Sequence, residues 1–413
     1  MPAAEHETTS FCKSTIPFLR CQAYEWVTGT AENLQKNRYN HLNCIKGKLF
    51  ISPFFFFTFC ATIMDMKKKD FYDLLTSIPK AELHLHEEAV ISKETINKLY
   101  RENIGGNMSK EEQADLFAYN DLAGFLDSFI AIQKFFTDIN NLYYVTDDLE
   151  SYLIDNNISY CETFFSPTSH LKKGWDFNRM SQILADGAEK ILRDTGRTVR
   201  YIVDVSRSFG VENAQHNLDL VLAAKNPYII GIGLGGNEEA APARDFQSVF
   251  ENAIQAGLHV VAHAGETVES WSMKDSINLL HVERIGHGIS AAYDEPFMKE
   301  LAESGLPLEI SPTSNTFIGK YVTNIKEHPI KKLFDAGVQV TLNTDDPTFF
   351  KVSLVDEYWN IYKNLNFSLE EIKQIILNGF RASFMNEEDT KRHCNEVESK
   401  WASWFQAHPQ VKL

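Results

Sequence analysis

The feature that most constrains the fold is an alternation, from Asp70 onward, of short apolar runs with longer stretches of helical spacing. Parallel sheets built from βα units have this pattern, because their strands are buried on both faces while each crossover helix carries one apolar stripe. Eight runs are present: Ala81–His86, Ile158–Phe165, Val199–Val205, Tyr228–Leu234, His259–His263, Arg284–Gly286, Leu306–Ile310 and Val338–Asn343. The helical stretches Phe246–Ala256, Glu295–Ala302 and Ile330–Ala336 are each followed within a few residues by a glycine (Gly257, Gly305, Gly337), the residue type that ends a helix in a left-handed turn. Eight such units predict an α/β fold, a closed (β/α)8 barrel of the TIM type. The interval from Ala89 to Asn157 is too long for one crossover helix, and Tyr119–Asp138 has an amphipathic period. Extra helices after the first strand are therefore expected, placed to roof the barrel mouth.

Residues 1–63 differ from the rest, with four Glu against six Lys and Arg and no amphipathic period. The apolar run from Leu49 to Ile63 is short for a membrane span of ~20 residues, contains Pro53, and lies far from the start for a signal peptide. The sequence is thus divided into an atypical extension, 1–63, disordered or non-native, and a barrel domain, 64–413.

A net charge of −16 excludes a protein that tracks nucleic-acid phosphates, which would gather Lys and Arg. No membrane partner is expected either; a small uncharged substrate and water fit better. The six cysteines form no Cys-x-x-Cys pair or disulfide framework, which points to a reducing, cytoplasmic compartment. Any metal site must then be built from His and carboxylates.

The motif Glu82-Leu83-His84-Leu85-His86 sets two imidazoles on one face of a strand, because residues two apart point the same way. Alone it would be no more than two polar residues. It falls at a strand end, however, where barrel enzymes build their sites, and the placement recurs in His263-Ala264-Gly265-Glu266, Gly286-His287-Gly288 and Thr344-Asp345-Asp346-Pro347. So many buried ionisable groups require a partner, and a metal supplies one. Zinc suits a nitrogen and oxygen donor set with one position open for water, here His84, His86, His263 and Asp345. Glu266, three residues past a ligand, is the candidate proton donor; His287 and Asp346 remain for water and substrate.

These motifs, with Pro79-Lys80-Ala81 before the first and Ile310-Ser311-Pro312-Thr313-Ser314-Asn315 after the seventh run, resemble the adenosine deaminase family over about Ile78 to Asn386. The resemblance implies one zinc per chain on His84, His86, His263 and Asp345. It also implies that Glu266 protonates purine N1, that His287 orients or deprotonates the attacking water, that Asp346 holds N7 and that the Gly236 backbone faces N3. The reaction implied is attack of zinc hydroxide on C6 of adenosine or deoxyadenosine, giving inosine or its deoxy counterpart and ammonia. Where the family places Leu-Asp-Gly after its His-x-His, this chain has Glu87-Glu88-Ala89, so Glu88 takes the position of the sugar-contacting acid with one methylene more. Free adenine or a modified 6-aminopurine nucleoside is therefore the alternative substrate. No Lys ends the fourth run, Gly233-Leu234-Gly235-Gly236-Asn237-Glu238, which disfavours a binuclear relative. A non-catalytic relative would have lost Glu266, His287 or Asp345. His170 reads as a polar loop residue, Trp401 and Trp404 as packing of a terminal helix, and Phe125, Phe129 and Phe135 as core.

Overall fold

The computed structural model describes residues 66–119 and 122–411, so the expectations for residues 1–63 fall outside the described residues. Eight strands form one parallel sheet in sequence order: β1 (Lys80–His86), β2 (Ile158–Phe165), β3 (Thr198–Asp204), β4 (Ile229–Leu234), β5 (His259–Ala264), β6 (Arg284–His287), β7 (Leu308–Ile310) and β8 (Val340–Leu342). Helices cross between them, and the predicted barrel is the observed fold. Strands β7 and β8 start later than their apolar runs. Pro307, which has no N–H to give, ends the turn before β7 by accepting from Ile285 N–H at 3.1 Å.

The ring closes where β8 meets β1, with a single backbone bridge, Leu85 to Asp345. With β8 only three residues long, side chains complete the seam. Asn343 Oδ1 accepts from the backbone N–H of Leu83 and His84 at 2.9 and 3.1 Å. Glu82 accepts from the Thr344 N–H and hydroxyl at 2.9 and 2.6 Å. Past β8, Asp345 N–H donates to His84 O at 3.1 Å and His86 N–H to Asp345 O at 3.0 Å.

After β1 the chain makes a short 3-10 turn, Glu87–Val90, and three helices, Lys93–Asn103, Lys110–Asp115 and Leu122–Gln133, before the crossover helix Leu142–Asp155. The expected extra helices are present. Phe125 packs edge-on against Phe349 and stacks on Phe350, with centroids 5.5 and 5.2 Å apart, and the Tyr119 hydroxyl donates to Phe349 O at 2.6 Å. This pins the added helices to the segment that follows β8. Trp401 and Trp404 are buried in the terminal helix Glu387–Ala407. Among the described residues no helix is long and apolar enough to cross a membrane.

Candidate active site

The site lies at the C-terminal ends of the strands. The period of β1 turns His84 and His86 to one face, β5 brings His263 across from them, and Asp345 follows β8. One ligating atom from each of these four residues can be chosen so that all lie within 4.8 Å of one another. His84 Nε2 and His86 Nε2 stand 3.6 and 3.2 Å from Asp345 Oδ1, and His86 Nε2 and His263 Nε2 face each other at 3.4 Å. Within the protein, His84 Nε2 and His263 Nδ1 are buried without a hydrogen-bond partner. Buried polar atoms left in this state cost roughly 1–3 kcal/mol each, and imidazole nitrogens converging on a carboxylate are the donor set that zinc takes. The residues fit a metal ion.

His287 and Asp345 both adopt left-handed backbone angles, φ 62° and 66°, which residues other than glycine seldom occupy. These turns bring both side chains against the imidazoles of the cluster, His287 beside His84 and His263 and Asp345 beside His84 and His86. Gly286 is required here for space, because a Cβ at that position would stand 2.6 Å from His84 Cε1. Gly236, φ 87°, lies so close to the Ser206 and Ser208 hydroxyls that a Cβ would stand 2.5 and 2.7 Å from their Oγ atoms.

The charges are set by burial and by their neighbours. Burial raises the Glu266 carboxyl well above its ordinary range, reinforced by Asp345 and Glu238, which favours its protonated form. Burial beside Asp345 likewise pushes Asp346 up. Burial opposes the charge on Asp345, yet the His84 and His86 imidazoles prevail and hold it well below the usual carboxylate range. His287 is lowered to about 3, by burial first and then by His84.

Several supporting residues were not singled out by sequence reasoning. Glu309 on β7 binds His84 Nδ1 at 2.8 Å and is itself held by Arg284 Nε at 2.5 Å, whose Nη2 reaches Glu162 at 2.5 Å. Glu238 accepts from the backbone N–H of Gly265, Glu266 and Thr267 at 2.7, 3.0 and 2.9 Å and from the Ser272 hydroxyl at 2.6 Å, clamping the loop that carries Glu266. The Ser314 hydroxyl donates to Asp345 Oδ2 at 2.6 Å, and Asn315 Nδ2 lies 3.0 Å from His287 Nδ1. The available signal was a charged residue inside an apolar run, as at Glu162, Arg284 and Glu309, which cannot be buried unpaired.

One expectation needs correction. His170 is not a polar loop residue: it is fully buried on the short helix Thr168–Leu171, stacked between Trp175 and Phe165 with centroids 4.8 and 5.9 Å away. Its Nε2 faces Glu88 Oε1 at 3.4 Å. Ring contacts with Phe165 and Trp175, each five residues away in the sequence, cover the imidazole, and neither of its nitrogens has a hydrogen-bond partner. Glu88 is buried in the turn after β1. Phe125 is buried, whereas Phe129 and Phe135 are partly buried against the core.

Comparison with known proteins adds three findings. The sequence model of the adenosine deaminase family matches residues 79–400. An adenosine deaminase of Clostridium acetobutylicum is 36% identical over 76% of this chain and 95% of its own, and an aminodeoxyfutalosine deaminase of Streptomyces coelicolor is 29% identical over 82% and 88%. The crystal structure of an adenine deaminase from Arthrobacter aurescens superposes with a TM-score of 0.74 at 28% identity, covering 79% of this chain and 99% of that one.

Proposed function

The chain belongs to the adenosine deaminase family and is a hydrolytic deaminase, and on that premise we propose that it converts adenosine or deoxyadenosine to inosine or deoxyinosine and ammonia. The observation that carries this reading is the meeting of His84, His86, His263 and Asp345 with Glu266 and His287 at one end of the barrel. In the overall reaction the C6–O bond forms and the C6–N6 bond breaks. One hydrogen of water leaves in ammonia and the other stays on N1 of the product.

One zinc would be held by His84, His86, His263 and Asp345, and what zinc supplies when bound is an acidic water, with a pKa of about 7 in favourable sites. The remaining work falls to the chain. Glu266 gives its proton to N1, which draws electrons from C6 and neutralises charge as the oxygen adds. N7 is an acceptor, so its partner must be a donor, and a protonated Asp346 meets that need. The Gly236 N–H donates to N3, and His287 orients the water. Ser314 fixes the second oxygen of Asp345.

The sugar is assigned to Glu88. Glu88 stands in the turn directly after β1, two residues past the proposed ligand His86, and its carboxyl takes the place of the family's sugar-contacting acid. The second reading, a deaminase of free adenine or of a modified nucleoside, is favoured by the contact of Glu88 with His170, which gives the carboxyl a partner other than a sugar hydroxyl. Ammonia release from adenosine, deoxyadenosine, adenine and N6-substituted analogues tests both. The highest kcat/KM is expected with adenosine or deoxyadenosine, and a faster reaction with adenine would put the second reading in its place. Among the described residues Cys161 and Cys394 are free thiols, which fits the cytoplasm as the compartment.

A further inference from the structure

Three buried side chains in a row, His328, Asn315 and His287, constrain one another's protons. The first link is unambiguous. Ile330 N–H donates to His328 Nδ1 at 3.2 Å, and a backbone N–H can only donate, so His328 Nδ1 carries no proton. A neutral imidazole must then hold its proton on Nε2. That nitrogen lies 3.2 Å from the Asn315 side chain, and the atom facing an N–H must be the amide oxygen, Oδ1. The Asn315 nitrogen is thereby turned to His287 Nδ1, 3.0 Å away, as a donor. His287 Nδ1, which also has Glu266 Oε1 3.5 Å away, therefore accepts, and the proton of the neutral ring must lie on Nε2. All three residues are at most 3% exposed, so water does not compete for these bonds. Burial lowers His328 to about 3, which keeps it neutral. The orientation of the amide, usually a choice, is here forced by the backbone at one end of the chain of bonds.

We propose that Asn315 and His328 are positioning residues that lock His287 into the Nε2–H tautomer, so that it meets the attacking oxygen as a hydrogen-bond donor and not as the base. Of the two roles open to His287, orienting or deprotonating the water, the network selects orienting: a lone pair on Nε2 would require a proton on Nδ1, pointing into the Asn315 amide hydrogens. The use made of that donor rests on the deaminase reading; the tautomer itself does not.

Two measurements on the zinc-loaded full chain separate these levels. Nitrogen-15 NMR of histidine-labelled protein, with His287 identified by the signal lost in His287→Gln, reads the tautomer directly. Protons on Nε2 of both His287 and His328 are expected, and a proton on His287 Nδ1 overturns the proposal whatever the substrate. The second measurement uses Asn315→Asp, which keeps the shape but offers His287 an acceptor. The proton should move to Nδ1, and turnover should fall on the order of 10²-fold or more, as when a catalytic histidine is held in the wrong tautomer. Inosine affinity and zinc content, measured on the same sample, should fall far less. His328→Gln retains an N–H for Asn315 and should keep about tenfold more activity than His328→Phe. Equal losses in those two, or Asn315→Asp with a turnover near that of the unaltered protein, would overturn the positioning role. If the expected tautomer is found but no purine in the panel is deaminated, the functional reading fails and the lock stands.

Discussion

His287 and Asp345 hold backbone angles that cost a non-glycine residue roughly 1–3 kcal/mol each, and both are spent on side chains that enter the site. Glu266 shows the same priority of chemistry over comfort, a partly buried carboxyl whose Oε1 has no hydrogen bond and faces His287 Nδ1 at 3.5 Å. Because its proton is needed chiefly as the ring gains charge, Glu266→Gln should lower turnover by about 10²–10⁴-fold while sparing inosine binding. Zinc content on the same preparation should be unchanged, since Glu266 is not assigned as a ligand. Glu88 is expected to act on affinity instead. Glu88→Ala should weaken adenosine relative to adenine by about 1.5–3 kcal/mol, the worth of a hydrogen bond to a charged group, read as the ratio of the two kcat/KM values. Equal losses on both would remove the sugar from Glu88. At this scale the strand-end motifs were legible because each packs its chemistry into two to four consecutive residues. The Glu88–His170 contact was not legible, since its two partners come from the ends of different strands and meet only when β1 and β2 pair.

At the scale of elements, the eight apolar runs read as strands to within one or two residues, with β7 and β8 trimmed by the turns before them. The residues that hold the site's loops in place escaped, because their partners are distant in sequence: Glu238 serves the loop at Gly265–Thr267, Ser314 serves Asp345, and Glu357 serves Thr313. Glu357, on the helix Leu354–Asn364, accepts from Thr313 N–H at 2.8 Å and so anchors the start of the helix Pro312–Ile318 that carries Ser314 and Asn315. Burial raises its carboxyl to about 7, with bonds to Thr313 and Asn360 opposing. The folded protein therefore holds this proton more tightly than the unfolded chain does. The stabilisation is complete below pH ~4.5 and is lost as pH rises through about 7, at about 1.4 kcal/mol per unit of displacement. Urea unfolding at a series of pH values should show a steeper decline between 4.5 and 7 for the native protein than for Glu357→Gln. Parallel curves would mean that Glu357 does not titrate in that window.

For the whole molecule, the eight strands and the family match at 79–400 all lie beyond residue 63. A chain beginning at Met66 is accordingly expected to fold and to keep its kcat/KM within about twofold, and an insoluble or inactive product would show that residues 1–63 belong to the working unit. The seam between the first and last strands has a wider meaning. A cask of eight staves stays round only while its ends are joined, and here the join is a short backbone bridge helped by Asn343 and Glu82. Three of the four proposed ligands flank that join, His84 and His86 on the first stave and Asp345 just past the last, with His263 opposite. A bound ion would act as a rivet through the hoop, and stripping it should spring the ring at one known place. Amide hydrogens of Leu83, His84 and Asp345 should then exchange about tenfold faster or more after chelation, while those of Val203 and Ile232, on the far side, should keep their rates. The ion that equips the chain for chemistry would in that case also decide whether its sheet is a circle or a strip.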